Sequence, residues 1–152
     1  MCEVKFSGKK IINDLKRLGV VQNKTLILKY PDIDESIERH FLRGYFDGDG
    51  CIRINKDKRD GSERGDLRFV SGSIEMLEKI NDRMNYLFNT NKNKLYGPNG
   101  SHAKYIGWCG MKDIENIYFG FYNESTFFLK RKKDIFDMVI NKIKNKEKYR
   151  KK

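Results

Sequence analysis

Two carboxylates separated by a single glycine, Asp47 and Asp49, have the types and spacing to do chemistry. They lie in "HFLRGYFDGDGCIRI", His40 to Ile54, where an apolar helical run ends in acids and glycines. An alternating strand begins at once afterwards. Acids in such a place serve a turn, a calcium loop or a divalent-cation site. A calcium loop starting at Asp47 needs glycine at its sixth position and glutamate at its twelfth. Those positions hold Ile52 and Lys58, and a strand runs through the middle, so that chemistry is excluded. A turn accounts for Gly48 and Gly50 but not for Asp49. A carboxylate at a helix C-terminus opposes the helix dipole, and a bound divalent cation explains its presence. Gly44 and Gly48 fall four apart on one helical face. That face is smooth enough for a second helix to approach backbone to backbone.

The elements that must position these acids follow from the hydrophobic pattern. Ser7 reads as the N-cap of a helix with Ile11, Ile12, Leu15 and Leu18 on one face and Gly19 as its stop. "KTLILKY", Lys24 to Tyr30, reads as a strand ended by Pro31. Asp32 or Asp34 caps the helix that carries the motif. "CIRINKD" and "DLRFV" alternate around the polar turn "KRDGSERG" and form a hairpin. Ile52, Ile54, Leu67 and Phe69 take one face, while Cys51, Arg53, Asn55, Asp57 and Arg68 take the other. Ser73 caps an amphipathic helix bearing Ile74, Leu77, Ile80, Met84, Leu87 and Phe88. A second strand pair is expected near Lys94 to Tyr96 and His102 to Cys109. A helix through Ile114, Ile117, Tyr118 and Phe121 follows, then a last one through Phe136, Val139, Ile140 and Ile143. The tail from Lys142 to Lys152 holds seven Lys/Arg against one Glu and reads as a frayed basic end.

The expected architecture is α+β, with two hairpins forming a twisted four-stranded antiparallel sheet and helices packed on one face. The other face stays uncovered and rich in Arg, Lys and Asn, a shape that fits a DNA groove. Residues 1–34 form a helix–strand extension, and residues 35–152 the main domain with its basic C-terminal helix.

Composition points the same way. Across 152 residues, 32 Lys+Arg against 21 Asp+Glu give a net charge of +11. Such an excess costs self-repulsion and commonly reflects a polyanionic partner. A chain of this length buries ~70% of its unfolded surface, so its core needs no staple. Cys2, Cys51 and Cys109 are odd in number and lack metal-ligand spacing, which argues against a disulfide framework or a zinc site. No apolar run approaches a membrane span, and "MCEVKFSGKK" lacks the apolar stretch of a signal peptide. The expected location is cytoplasmic, a nucleoid or organelle matrix included.

"FLRGYFDGDG" resembles the LAGLIDADG motif of the homing endonucleases, Leu42 to Gly50 matching its nine positions. Leu42, Gly44, Asp47, Asp49 and Gly50 agree directly, and Arg43, Tyr45, Phe46 and Gly48 are substitutions of tolerated kinds. The element order after the motif resembles that family's αββαββα core. "VVQNKTLILKYP" upstream and "FFLKRKKDIF" near the end are similar too. The resemblance implies a site-specific double-strand DNA endonuclease, encoded by a mobile genetic element. Asp49 would hold Mg²⁺, or Mn²⁺ as its substitute, beside the Gly50 carbonyl. Asp47 would structure the helix end. Gly44, Gly48 and Phe41 would pack two motif helices together. Lys132, or else Lys130, would stand near the scissile phosphates as the catalytic cation.

Only one motif is present, whereas double-strand cleavage needs two sites. The implied forms are a homodimer through the motif helix and the C-terminal half of a two-motif enzyme. "FSGKKIINDLKRLGVVQNKTLILKYP" is similar to the segment joining the two repeats of longer members. Arg53, Asn55, Arg68, Lys94, Lys104 and Arg131 are the expected DNA contacts, since Arg and Asn suit guanine and adenine edges. Tyr96, Tyr105 and Trp108, with His102 nearby, suit base stacking or sheet core, and core is the expectation for Trp108. The alternative function is a non-cleaving DNA or RNA binder on the same scaffold: maturase-like, regulatory, or a decayed half-enzyme.

Overall fold

Asp34 starts the helix that carries both motif acids: its carboxylate accepts from the Ser36 amide at 2.8 Å, satisfying one orphan donor of the first turn. That helix, α2, spans Glu35–Asp49 in the computed structural model, which describes residues 7–20, 24–56, 58 and 61–150, with side chains through Lys144. Before it come α1 (Lys9–Arg17) and a single 3₁₀ turn at Lys24–Leu26. After it come β1 (Cys51–Lys56), β2 (Glu63–Ser71), α3 (Ile74–Phe88), β3 (Lys104–Trp108), α4 (Met111–Tyr122) and α5 (Lys130–Arg150).

The sheet is antiparallel in the order β1-β2-β3. Ile52 lies opposite Leu67, Arg53 opposite Asp66, and Leu67 opposite Trp108. Period-two alternation therefore sends Ile52, Leu67, Phe69, Ile106 and Trp108 to one face, where all are buried. Helices α2 to α5 cover that face. Phe46 of α2 stands at the centre, 5.7 Å from Phe69, 5.6 Å from Phe121 and 6.0 Å from Phe136 between ring centroids. Phe136, Val139, Ile140 and Ile143 line the buried stripe of α5, as their spacing requires.

Three expectations are corrected among the described residues. The sheet has three strands rather than four. Where the fourth was expected, Tyr96 makes only an isolated bridge with Tyr105, two 2.8 Å hydrogen bonds. Side-chain bonds take the place of the ladder: Asn93 Nδ2 donates to the Gly107 carbonyl at 3.1 Å, and the Trp108 indole Nε1 donates to the Asn91 backbone carbonyl at 2.8 Å. Pro98 then ends any continuation, since it has no N–H to pair. The second correction concerns Lys24 to Tyr30, which forms a 3₁₀ turn and irregular chain rather than a strand. Its alternation survives as packing, with Leu28 and Tyr30 against the core and Ile27 63% exposed. The third is the basic end: α5 continues through Arg150.

Ser73 caps α3 as expected, accepting from the Met76 amide at 3.2 Å. The start of α1 has Gly8 rather than Ser7 at its cap, with no side-chain bond, and none of its residues is buried. Gly19 follows α1 with φ of 81°, the left-handed conformation suited to a helix stop.

Glu38 fastens the irregular segment and α3 to α2. It is 4% exposed, and it accepts from the Tyr30 hydroxyl at 2.6 Å and from both Arg83 Nε and Nη2. Burial raises the Glu38 pKa, yet the bonds from Arg83 and Tyr30 outweigh it and hold the carboxyl below the usual range. The stabilisation is therefore complete above the ordinary carboxylate range and lost as pH falls through the depressed native value. Glu38→Gln is expected to cost about 3 kcal/mol at pH 7, because it removes the buried charge partner of Arg83 and leaves only the exposed Glu35 at 3.4 Å. Urea denaturation at pH 7 and pH 4 checks this: the wild type loses stability on acidification, and the variant shows a flatter acid limb.

Candidate metal and nucleic-acid site

The end of α2 is held by a lysine that arrives 82 residues later in the chain. Lys132 is 4% exposed, and its ammonium donates to the carbonyl oxygens of Phe46 and Gly50 while lying 4.9 Å from the Phe46 ring centroid. Helix C-terminal carbonyls have no intrahelical partner and carry partial negative charge, so a buried cation there satisfies both needs. Burial and the neighbouring Arg131 guanidinium push the Lys132 ammonium below the usual lysine range, against the pull of Asp47. Asp47 returns the connection, its Oδ2 accepting from the Leu129 amide at 2.9 Å at the threshold of α5. Its Oδ1 is buried with no partner among the described residues.

Asp49 is the last residue of α2, and its side chain is exposed with no hydrogen bond or ion pair among the described residues. Gly50 follows with its amide bonded to the Phe46 carbonyl at 2.8 Å. A Cβ at Gly50 would sit 2.3 Å from Phe46 Cδ2 and 2.6 Å from the Phe46 carbonyl, so the tight passage into β1 requires glycine. Gly44 and Gly48 differ: a Cβ at either meets nothing within 4 Å. With Ile37, 52% exposed, and half-buried Phe41 they form an open stripe along α2.

The donor set fits a hard cation of the shared kind. Asp49 offers a free carboxylate, and Gly50 a carbonyl with two lone pairs, one of them taken by Lys132. No group of three His, Cys, Asp or Glu that could hold a metal occurs among the described residues. Mg²⁺ is commonly held by one or two carboxylates together with substrate phosphates, so a partial set suits it better than it suits Ca²⁺ or Zn²⁺.

The uncovered sheet face begins at Cys51, two residues beyond Asp49. Arg53, Asn55 and Arg68 gather there, all around one acid that the sequence reading passed over, Asp66. Arg53 Nε donates to Asp66 Oδ2 at 3.0 Å and Asn55 Nδ2 at 2.7 Å. Arg68 donates Nε to Oδ1 at 2.9 Å and Nη2 to Oδ2 at 2.7 Å. Asp66 is 8% exposed, and burial raises its pKa, but the bonds from Arg68 and Arg53 prevail and hold it below the usual range. Strand parity carried the signal, since Asp66 shares a face with Arg68 and lies across from Arg53. Arg68 also lies 4.5 Å over the Tyr105 ring, which stacks on Tyr96 at 5.8 Å.

The other expected contacts are dispersed. Lys104 donates to the Pro98 carbonyl at 3.1 Å, Lys94 and Arg131 are exposed, and exposed Lys130 pairs with Asp134 at 2.7 Å. Trp108 is 1% exposed in the core.

Fold and site together define a sheet-based scaffold with a lone acid at the end of a glycine-faced helix. The sequence profile of the LAGLIDADG-like domain matches residues 36–118, more than half of the chain. The chain belongs to the LAGLIDADG-like domain family. It is 27% identical over 101 residues to the intron-encoded DNA endonuclease ai2b of Dictyostelium discoideum, a match covering 65% of this chain and 37% of that protein. Two solved structures share the fold. The homing endonuclease I-CvuI in complex with the I-CreI target aligns with a TM-score of 0.53 at 15% identity, over 72% of this chain and 67% of its own. The I-LtrWI endonuclease bound to target DNA aligns with a TM-score of 0.52 at 17% identity, over 92% of this chain and 46% of its own.

The two kinds of motif glycine respond oppositely to alanine. Gly50→Ala is expected to cost about 1–3 kcal/mol through overpacking against Phe46. Gly48→Ala is expected to gain up to about 1 kcal/mol of helix stability in a dilute sample. Lys132→Met, which leaves the Gly50 carbonyl without its buried donor, is expected to cost about 1.5–3 kcal/mol. Equilibrium unfolding in urea ranks all three.

Proposed function

We propose that this chain is a site-specific DNA endonuclease that hydrolyses phosphodiester bonds with Mg²⁺ held by Asp49. The observation that carries the reading is Asp49 itself. It is an exposed acid at a helix C-terminus, unpartnered among the described residues, beside a sheet face that carries Arg53, Asn55, Arg68 and Tyr105 together with exposed Cys51 and Val70. An acid left free there stands against the helix dipole, and a cation shared with a phosphate is the partner that suits it. When bound, Mg²⁺ supplies charge neutralisation on the phosphate and a water acidified toward neutral pH.

The chain's own residues do the placing. Gly50 brings its carbonyl beside Asp49, and Lys132 holds that carbonyl from behind. Lys130 and Arg131, exposed at the start of α5, add positive charge where a phosphate backbone would pass. Arg53, Asn55 and Arg68 offer donors to base edges, with Lys94 and Lys104 toward the backbone. Residues 1–34 would act as an appended arm.

Two strands need two sites, and the open stripe of Ile37, Phe41, Gly44 and Gly48 is where a second motif helix would seat. In this reading the second helix comes from another copy of the chain, which makes a homodimer with near two-fold DNA. A non-cleaving DNA or RNA binder is the rival reading. It is favoured by Lys132, which already supplies a cation to the Gly50 carbonyl.

The substrate to test is the flanking genomic DNA rejoined without the inserted gene. Cutting at one place in Mg²⁺, and none in Ca²⁺, is expected. Asp49→Asn is expected to lower the rate by roughly 100-fold or more while leaving the gel-shift affinity near wild type. Equal, salt-sensitive binding in both metals without any cut or nick would establish the binder instead. Gly44→Leu, whose Cβ would meet nothing within 4 Å in the chain, is expected to convert a dimer to monomer in sedimentation.

A further inference from the structure

Asp66 is out of place on two counts. It is an acid at the middle of the face proposed to meet a polyanion, in a chain of net charge +11. It is also nearly removed from solvent, at 8% exposure, which is costly for a carboxylate unless charges and donors compensate. Neither affinity nor solvation explains it.

Strand stability does not require it either. Its side-chain bonds run to Arg53, Asn55 and Arg68, all side chains of the same face, and to no backbone group among the described residues. Strands β1 and β2 are joined by their own ladder from Cys51 opposite Arg68 to Lys56 opposite Glu63. Leu67 and Phe69, its neighbours on β2, are anchored in the core on the opposite face.

What Asp66 does is fix three flexible side chains at once. Arg68 is caught in a two-pronged bond to both carboxylate oxygens and stacked over Tyr105. Arg53 reaches the same carboxylate with Nε and with Nη2, at 3.0 and 2.9 Å. These bonds leave each guanidinium its Nη1 amino group. Asn55 gives one amide hydrogen, which leaves the second and Oδ1, the donor and acceptor pair that matches an adenine edge. Holding rotamer-rich side chains in one geometry beforehand lowers the ordering cost of binding and raises the penalty for a wrong base.

We infer that Asp66 is a specificity-determining positioning residue, which presents Arg53, Asn55 and Arg68 to base edges in a fixed arrangement. The inference rests on the proposed DNA-binding reading. It trades general affinity for discrimination: the acid weakens attraction to any phosphate backbone and sharpens the response to sequence.

The test enriches wild type and Asp66→Asn in parallel from a random-sequence duplex pool. Affinity is then measured for the wild-type consensus duplex and for a scrambled duplex. Wild type is expected to enrich a defined site. The Asn variant is expected to bind the scrambled duplex as tightly or more tightly. Its consensus-to-scrambled ratio falls by roughly tenfold or more, and its profile flattens at the few base pairs this cluster covers. A structural role predicts something else, equal losses on both duplexes with a lowered melting midpoint, and that result overturns the inference. So does an unchanged enrichment profile. Asp66→Glu keeps the charge while displacing the carboxylate. It is expected to flatten the profile at wild-type scrambled affinity, and it serves if the Asn variant fails to fold. A wild type that binds duplex but enriches no sequence removes the DNA-specificity reading beneath the inference, a failure distinct from the variant matching wild type.

Discussion

Between the last turn of α2 and the first turn of α5, a lysine ammonium sits inside the protein with two backbone carbonyls for company. Lys132 reaches the Phe46 and Gly50 oxygens across more than 80 residues of sequence, and Asp47 reaches back to the Leu129 amide. Helix ends leave carbonyls unpaired, and most helices resolve this locally with a glycine turn or with water. Here the solution is long-range, so the position of the motif acids depends on the docking of α5. The start of β1 depends on it as well, because Gly50 is the residue between helix and strand. The same ammonium offsets the unfavourable placement of an acid at a helix C-terminus, so the lone Asp49 is tolerable in the isolated chain.

The two faces of the sheet divide the demands on the sequence. One face is apolar and fully covered, and its alternation with Ile52, Leu67, Phe69, Ile106 and Trp108 sets the strand register. The other is free to vary in chemistry, because nothing in the core rests on it. Relatives of very different lengths fit such a division. The chain spans 37% of the length of its Dictyostelium relative and 46% of I-LtrWI, but 67% of I-CvuI. In the proposed reading, the α2 stripe is the surface that a second motif helix would use, whether it comes from another copy or from the same polypeptide.

Much of this was legible in the sequence. Helical periodicity located α2 to α5, Asp34 and Ser73 were visible as caps, and the alternation of "CIRINKD" and "DLRFV" placed Arg53, Asn55 and Arg68 on the uncovered face. What failed did so for identifiable reasons. "KTLILKY" has the composition of a strand, but β propensity describes a fit to neighbours, and that segment has no strand to pair with. Lys94 to Tyr96 lost its ladder to bonds from the Asn93 amide and the Trp108 indole, and side-chain hydrogen-bonding competes with the backbone in ways a hydropathy pattern does not encode. Lys132 was visible as a basic residue after "FFL", but its burial depends on where α5 crosses α2. Asp66 was overlooked because acids on a basic surface read as solvated. Only the pairing of β1 with β2 shows it at the centre of three donors.

Trp108 is the chain's sole tryptophan, it is 1% exposed, and its indole N–H is bonded to the Asn91 carbonyl. It lies edge-on to Phe69 at 6.1 Å, on the covered side of the β2–β3 pair. The protein therefore carries one indole fluorophore at the junction of sheet and helices. Emission from such an indole is blue-shifted while the sheet is closed and moves to the red when water enters. One optical signal thus reports on the integrity of the interior in any preparation, with no label attached.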